Sequence, residues 1–216
     1  MARKVGSAGK TLARRLGRIA LVLLGFGFAV WLLVQLFAPW MGALALPLAF
    51  LAVMRLLQDK EVEREVVAKA RGYLGEARVG RVLEALPSPW RVFHDVDLGG
   101  ENADHVVVGP AGVFNVEVKN YTGLIRATPQ GLWVRGERRD DQVRQAWRQA
   151  HKLRELLGVE VEPLLVFVGG RLEGRRVGRL PVLPPEEVGA YLRGLPARLS
   201  FTEAQRVSKL LEGRVR

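Results

Sequence analysis

Two short runs rich in Val and Phe carry the residues of this chain that are best suited to chemistry. Asp104 begins the first run, Glu117 and Lys119 end the second, and Gly109-Pro110-Ala111-Gly112 separates them. Pro presets one φ angle and Gly allows the exit from a tight turn, so this pattern predicts a β-hairpin. Two carboxylates for a hard divalent ion, with an ammonium group beside them, are the minimal set for hydrolysing a phosphodiester.

The pairing of the two predicted strands would bring these groups together. Side chains alternate between the faces of a strand, so Glu117 and Lys119 share one face. If Gly109 pairs with Gly112, Asp104 lies opposite Glu117, where Cβ atoms are ~4.5–5.5 Å apart. Opposed carboxylates repel each other unless a cation lies between them or one pKa rises strongly. A solvated ladder of surface charges is the alternative interpretation of this hairpin.

Three sequence blocks around these residues carry a resemblance to a known family. They are GYLGEARVGRVLEAL, ADHVVVGPAGVFNVEVKNYTG and QVRQAWRQAHKLRELL, and the resemblance runs from about Gly72 to Phe167. This text resembles the nuclease-related domain (NERD) branch of the PD-(D/E)xK nuclease superfamily. The resemblance implies an α/β fold of restriction-endonuclease-like type, in which the αβββαβ core has a mixed central sheet flanked by helices.

The resemblance also implies the members of an active site. It gives Mg²⁺ as the cofactor, with Mn²⁺ as an alternative, bound by Asp104, Glu117 and the carbonyl oxygen of Val118. In the family, an acidic residue of the first helix and a Gln of a later helix reach the active centre; Glu76 and Gln145 match them. The competing interpretations are that Glu76 is an exposed helical residue and that Gln145 belongs to a polar helix face. The implied catalytic residues are Asp104, Glu117, Lys119, Gln145 and Glu76.

Periodicity and turn signals predict the elements that position these residues. Asp140 or Asp141 is expected to cap a helix that ends near Leu157, and Pro181 is expected to make its strand an edge strand. Ser200 and Glu203 form a capping box. The other predicted elements are a helix over Asp59–Leu86, a first strand over Trp90–Leu98, a buried central strand over Pro163–Val168, an edge strand over Leu180–Leu183 and a last helix over Phe201–Glu212.

The predicted first strand contains three further residues that could bind a metal. His94, Asp95 and Asp97 lie close together in the sequence. Alternation places His94 on one face with Val92, Val96 and Leu98, and places both acids on the other. We therefore expect a structural His rather than a metal cluster. His105 points away from its neighbour Asp104 and is also expected to be structural.

The positive charge of the chain is concentrated at its beginning. The net charge is +11, of which residues 1–58 contribute +7 because they contain seven Lys or Arg and no Asp or Glu. The chain has no Cys, which excludes disulfides and thiolate chemistry. Because most of the positive charge lies in residues 1–58, the basic pI alone is no evidence that the rest of the chain binds nucleic acid.

Two apolar runs follow the basic start. Ile19–Ala38 has no charged residue, Pro39 ends it, and Trp40–Leu57 has only Arg55. Each run is near the ~20 residues that cross a bilayer, so we predict a transmembrane hairpin over residues 19–57. The domains are then 1–58 and 59–216. The positive-inside rule predicts an inner-membrane protein with both termini and the soluble domain in the cytoplasm. A single span, a re-entrant loop and a cleaved signal peptide are the alternatives.

The predicted function is that of a membrane-anchored nuclease acting on nucleic acid, with DNA favoured over RNA. The alternative is a non-catalytic module with the same fold that binds nucleic acid or protein at the membrane. Basic side chains could follow the phosphates of a bound nucleic acid, although Arg dominates the basic residues throughout the chain. The candidate contacts are Arg135, Arg138, Arg139, Arg144, Arg148, Arg171, Arg175 and Arg176.

Overall fold

The computed structural model describes residues 3–5, 10–37, 48–52, 55 and 60–215. The chain divides into two compact units, one of Lys10–Arg71 and one of Met1–Gly9 with Gly72–Arg216. The predicted boundary at residues 58 and 59 lies outside the described residues and stays a prediction. In chain order the elements are β1 (Arg3–Val5), α1 (Lys10–Phe37), α2 (Lys60–Glu84), β2 (Arg91–Asp97), β3 (Asn102–Gly109), β4 (Gly112–Asn120), β5 (Leu124–Thr128), β6 (Gly131–Val134), β7 (Glu137–Arg138), α3 (Asp140–Leu157), β8 (Val161–Val168), β9 (Arg171–Glu173), β10 (Arg176–Val177), β11 (Leu180–Leu183), α4 (Pro185–Gly194) and α5 (Phe201–Glu212).

The predicted transmembrane hairpin is not confirmed. Among the residues that the structure describes, no helix is both long enough and apolar enough to cross a membrane. Much of the second predicted span, Trp40–Leu57, lies outside the described residues.

A mixed sheet of seven strands, in the order β1-β2-β3-β4-β8-β11-β10, forms the centre of the larger unit. Strands β2, β3 and β4 are an antiparallel meander. Strand β4 then pairs in parallel with β8, and β8 pairs in parallel with β11. A smaller sheet has the order β7-β6-β5-β9. This is the mixed sheet flanked by helices that the sequence predicted.

Helices cover both faces of the large sheet because its strands are apolar on both sides. Helices α2 and α4 pack Leu83 and Leu192 against Phe114 of β4 on one face. Helices α3 and α5 pack Leu153 and Leu211 on the other. Strand β4 therefore lies in the middle of a three-layer core, and Val113–Val118 are all buried.

The register of the predicted hairpin is confirmed as far as the ladder extends. Gly109 pairs with Gly112 and Val106 pairs with Asn115. The last ladder pair is His105 with Val116, one position before the expected opposition of Asp104 and Glu117.

Three local predictions are wrong, each for a physical reason. Val96 packs on the face opposite Val92 because Asp95 has a φ of 55°, which reverses the alternation of the strand. Strand β11 is not an edge strand, since the two-residue strand β10 lies outside it and pairs Arg176 with Pro181. Asp140 does not cap α3: the helix begins at Asp140, whose Oδ1 instead accepts a hydrogen bond from the Leu132 N–H at 3.1 Å.

Candidate active site

The end of strand β4 carries two of the predicted site residues in a buried setting. Glu117 is 1% exposed, while Lys119 is partly exposed. They pair in register with Leu165 and Phe167 of β8. Alternation puts both side chains on the face of the sheet that α3 covers, as predicted.

Asp104 lies where strands β3 and β4 separate. Its Oδ2 accepts a hydrogen bond from the backbone N–H of Val118 at 2.7 Å. Burial, followed by the charges of Glu117 and Glu76, holds the pKa of Asp104 well above its usual range despite that hydrogen bond. The carboxyl group is therefore fixed in place yet resists ionisation unless positive charge is supplied.

Lys119 connects Glu117 to helix α3. Its Nζ donates to Oε1 of Glu117 at 2.6 Å and to Oε1 of Gln145 at 3.1 Å. Burial opposes the charged ammonium, but the carboxylates of Glu117 and Asp104 outweigh it, so the pKa of Lys119 is raised. The second carboxylate oxygen of Glu117, Oε2, is buried and has no hydrogen-bond partner among the described residues.

Glu76 reaches the same group of charges from helix α2. The helix approaches the end of β4 at Gly75, where an added Cβ would lie 3.2 Å from the Cβ of Asn120. Burial, then the charges of Asp95 and Glu117, raises the pKa of Glu76 to about 7, although Lys119 lowers it. The structure therefore brings Glu76 into electrostatic contact with the predicted site.

Asp95 is the site residue that the sequence interpretation missed. The neighbouring pairs of the β2–β3 ladder, His94 with His105 and Val96 with Ala103, leave Asp95 opposite Asp104 without a ladder pair between them. Asp is among the few residues that tolerate its positive φ. No sequence signal gave the β2–β3 register, so the approach of Asp95 to Glu76 could not be predicted.

A chain of amide groups extends the site into the core beneath α3. The amide of Asn115 donates to Oε1 of Gln149 at 3.0 Å, and Gln149 donates to the carbonyl oxygen of Asn102 at 3.3 Å. Asn102 in turn donates to Asp95 at 2.6 Å. Asn115 and Gln149 are buried, so Gln149 is part of the packed core rather than of a solvated polar face.

Comparison with known proteins agrees with this geometry over the central part of the chain. Residues 71–168 match the nuclease-related domain. That segment contains the three strands of the meander, helix α3 and all five predicted catalytic residues. A nuclease-related function is therefore supported for this part of the chain.

Two individual proteins are similar over part of their length. An uncharacterised protein of Bacillus anthracis is 35% identical over 103 residues, which are 44% of this chain. The match covers 48% of that relative, so the chain spans about half the length of the curated relative it matches. The structure of Pyrococcus furiosus SfsA in complex with Ca²⁺ is similar at 13% sequence identity. The match covers 66% of this chain and 54% of the SfsA chain. Its TM-score is 0.25, which supports no further argument.

The donor atoms of the candidate site are of the kind that a hard divalent cation prefers, although they are too few to complete its shell. Asp104 and Glu117 supply carboxylate oxygens, and the buried unpartnered Oε2 of Glu117 is the position where a positive charge is missing. Burial, followed by the charges of Glu117 and Glu76, raises the pKa of Asp104 beside it. However, no group of three or more His, Asp or Glu side chains suited to a metal occurs among the described residues. Backbone oxygens and water would have to complete the shell, and the ligand role of Val118 stays a prediction.

Most of the arginines predicted to contact nucleic acid are bonded within the chain. For Arg144 and Arg176, the described part of the chain provides no ion-pair partner. These two are therefore the best placed to meet phosphates. The bonded pairs are Arg135 with Thr122, Arg138 with Asp140, Arg139 with Glu137, Arg148 with Glu101, Arg171 with Glu173 and Arg175 with Glu187.

Proposed function

We propose that this chain is a metal-dependent nuclease that hydrolyses phosphodiester bonds of nucleic acid, with DNA as the favoured substrate. The observation that carries the proposal is the contact of Lys119 with both Glu117 and Gln145, beside a buried carboxylate oxygen that lacks a partner. A surface ladder of solvated charges would not bury these groups. The match of residues 71–168 to the nuclease-related domain supports the same reaction class.

The proposed roles follow from the atoms that each side chain presents. Asp104 and Glu117 would hold Mg²⁺ or Mn²⁺ through their carboxylate oxygens. A divalent ion so bound acidifies water and offsets charge on a phosphate. The Lys119 ammonium, held by two acceptors, orients the attacking water and stabilises the negative charge that develops on the phosphate. Gln145 fixes the position of Lys119, and Glu76 holds the water.

The decisive experiment compares Lys119→Ala with Lys152→Ala in the full chain. Lys152 is a matched control, because its Nζ bonds Glu101 at 2.7 Å and not Glu117. We expect Lys119→Ala to lower kcat by about 100-fold or more with little change in KM, since the ammonium acts mainly in the transition state. Lys152→Ala should keep kcat. Labelled DNA and RNA, single- and double-stranded, give the substrate class.

One result would reject catalysis. If the wild-type chain binds nucleic acid with a normal salt dependence, cleaves none with any divalent ion and is indifferent to Lys119→Ala, the non-catalytic module becomes the better interpretation.

We also propose that residues 19–57 anchor the chain in the inner membrane, with the nuclease-related domain in the cytoplasm. The proposal rests on the uncharged run Ile19–Ala38 and the basic residues before it. Exposed apolar side chains on helix α1, such as Leu21, Leu24 and Phe26, support it, because each is more than 60% exposed. Extraction of cell membranes with alkaline carbonate tests it: release of the chain with the soluble proteins would reject the anchor.

A further inference from the structure

Two histidines are buried together under helix α2, outside the site described so far. His94 of β2 and His105 of β3 are a cross-strand pair, and both are 0% exposed. Their Nδ1 atoms are 2.8 Å apart, and their rings meet edge to face with centroids at 4.9 Å. A metal needs about 2.0–2.1 Å to each imidazole nitrogen. No ion therefore fits between the two Nδ1 atoms, and the contact is a hydrogen bond.

Burial of two imidazoles has a cost that an apolar pair would avoid. Leu or Phe at these positions would fill the same space without needing hydrogen-bond partners. The presence of His94 and His105 therefore calls for a role that apolar side chains cannot supply. The contacts of their outer nitrogens indicate what that role is.

Both histidines contact helix α2, at two places eight residues apart. The Nε2 of His94 lies 3.0 Å from Oε1 of Glu84. The ring of His105 faces the backbone of Glu76. Neither Nε2 contact meets the geometry of a hydrogen bond, so both are close polar contacts. They lie about 12 Å apart along the axis of α2.

Gly80 lies between these two points and allows the helix to approach. An added Cβ at Gly80 would lie 3.3 Å from Cε1 of His94 and 3.5 Å from Cε1 of His105. The first distance is tighter than most Cβ contacts, so a side chain here would press on the ring of His94, whereas the second is an ordinary van der Waals contact. At Gly80, which has no side chain, the backbone of the helix therefore lies close to both histidine rings.

We propose that His94 and His105 are positioning residues, whose hydrogen-bonded pair fixes helix α2 on the sheet and thereby sets the place of the Glu76 carboxyl group in the active site. The proposal rests on the proposed nuclease function, because Glu76 has a catalytic place only if the site is catalytic. Neither histidine touches the substrate.

The kinetic test uses the full chain with His105→Phe, Gly80→Ala and the control Ser208→Ala. Ser208 is also buried, but its hydroxyl bonds Ala204 on α5, which packs on the other face. We expect His105→Phe and Gly80→Ala to lower kcat by roughly 10- to 100-fold, as a small displacement of a catalytic group does. KM should stay within about two-fold, because substrate binding is unaffected. Ser208→Ala should keep kcat.

A double mutant separates positioning from general loss of stability. If His105 acts through Glu76, the double variant Glu76→Gln/His105→Phe should be no slower than Glu76→Gln alone. Losses of kcat that multiply, or a normal kcat in folded His105→Phe, would overturn the proposal. Should His105→Phe not fold, Gly80→Ala on the Glu76→Gln background carries the same test.

Hydrogen exchange gives a readout that does not depend on cleavage. We expect the backbone amides of residues 76–84 to exchange faster in His105→Phe and Gly80→Ala than in the wild type, and at wild-type rates in Ser208→Ala. If the wild-type chain cleaves nothing, the nuclease proposal fails on its own, and this measurement still decides whether the pair anchors α2. Unchanged protection in both variants would refute the anchoring.

Discussion

At the scale of single residues, burial and repulsion between carboxyl groups act together on the site. Burial is the larger cause, followed by the charges of neighbouring carboxylates, of the raised pKa values of Glu76 and Asp104. The only cation shown to bond Glu117 among the described residues is Lys119. The metal-free site therefore costs stability, which is the usual condition of a group of like charges prepared for a ligand.

The titration of Glu76 should be visible in the stability of the metal-free protein. Its pKa is raised from 4.5 to about 7, so the folded chain holds this proton more tightly than the unfolded chain. The resulting stability is present below pH 4.5 and is lost as the pH rises through 7. We expect Glu76→Gln to raise the free energy of unfolding by about 1–3 kcal/mol at about pH 8 and to have little effect near pH 4.

Urea unfolding in the presence of a chelator, at both pH values, measures this difference. Glu212→Gln, at the exposed end of α5, is the control and should change neither value. An equal effect of Glu76→Gln at the two pH values would mean that Glu76 ionises normally in the folded chain.

Metal binding should depend on the acid pair. We expect Asp104→Asn and Glu117→Gln each to weaken Mg²⁺ or Mn²⁺ binding by about ten-fold or more, because each removes one carboxylate ligand. Asp97→Asn is the control, since Asp97 lies on the adjoining strand β2 and bonds the N–H of Gly99. Titration calorimetry gives the affinities, and wild-type affinity in both site variants would exclude this metal site.

At the scale of elements, α3 carries both a predicted catalytic side chain and several basic ones. Gln145 contacts Lys119, while Arg144 beside it is exposed. Arg148, one turn further, is bonded to Glu101 at 3.2 Å. The surface of α3 is therefore less free to bind phosphates than its sequence indicates, and Arg144 is its main candidate.

Arg144 should contribute to nucleic-acid affinity more than a bonded arginine does. We expect Arg144→Ala to raise KM and to reduce the salt slope of binding by about 1, while kcat at saturating substrate is kept. Arg138→Ala is the matched control, because Arg138 bonds Asp140 at 2.6 Å and lies over the ring of Trp133. Fluorescence anisotropy over a range of salt concentrations measures both slopes. Equal slopes for the two variants would contradict this assignment.

The sequence allowed those elements to be predicted whose signals are local. Three such features are present as expected: the alternation of β4 side chains between the faces of the sheet, the Gly-Pro-Ala-Gly turn, and the capping box of Ser200 and Glu203. What could not be predicted depends on pairing between distant segments. The positive φ of Asp95 and the pairing of β10 outside Pro181 have no local signal. The approach of Glu76 was implied by the family resemblance and not by its own position.

At the scale of the whole molecule, charge and apolar residues are unevenly distributed along the sequence. Residues 1–58 contribute +7 of the net charge and contain two apolar runs, whereas residues 59–216 contribute +4. The larger unit, with Gly72–Arg216, contains the complete candidate site. The membrane interpretation of the N-terminal part stays a prediction that needs its own experiment.

Cysteine labelling can test the predicted topology, because the native chain has no Cys. Lys209 on α5 is exposed, whereas its neighbour Ser208 is buried, so Lys209→Cys is the better probe. We expect an impermeant maleimide to label it only after the cells are permeabilised, and to label Pro39→Cys in intact cells. Labelling of Lys209→Cys in intact cells would place the nuclease-related domain outside the cytoplasm.

The short connections of the meander also bear on the order in which the chain folds. Strands β2, β3 and β4 join through tight turns, whereas the pairing of Lys119 with Phe167 closes a loop of nearly fifty residues. Local contacts generally form before distant ones. We therefore expect Asp104 and Glu117 to meet in the folding transition state, where their repulsion slows the search. We expect Mg²⁺ and Asp104→Asn each to accelerate refolding in stopped-flow experiments while unfolding rates change little. The residues proposed for catalysis would then also limit the rate at which the chain folds.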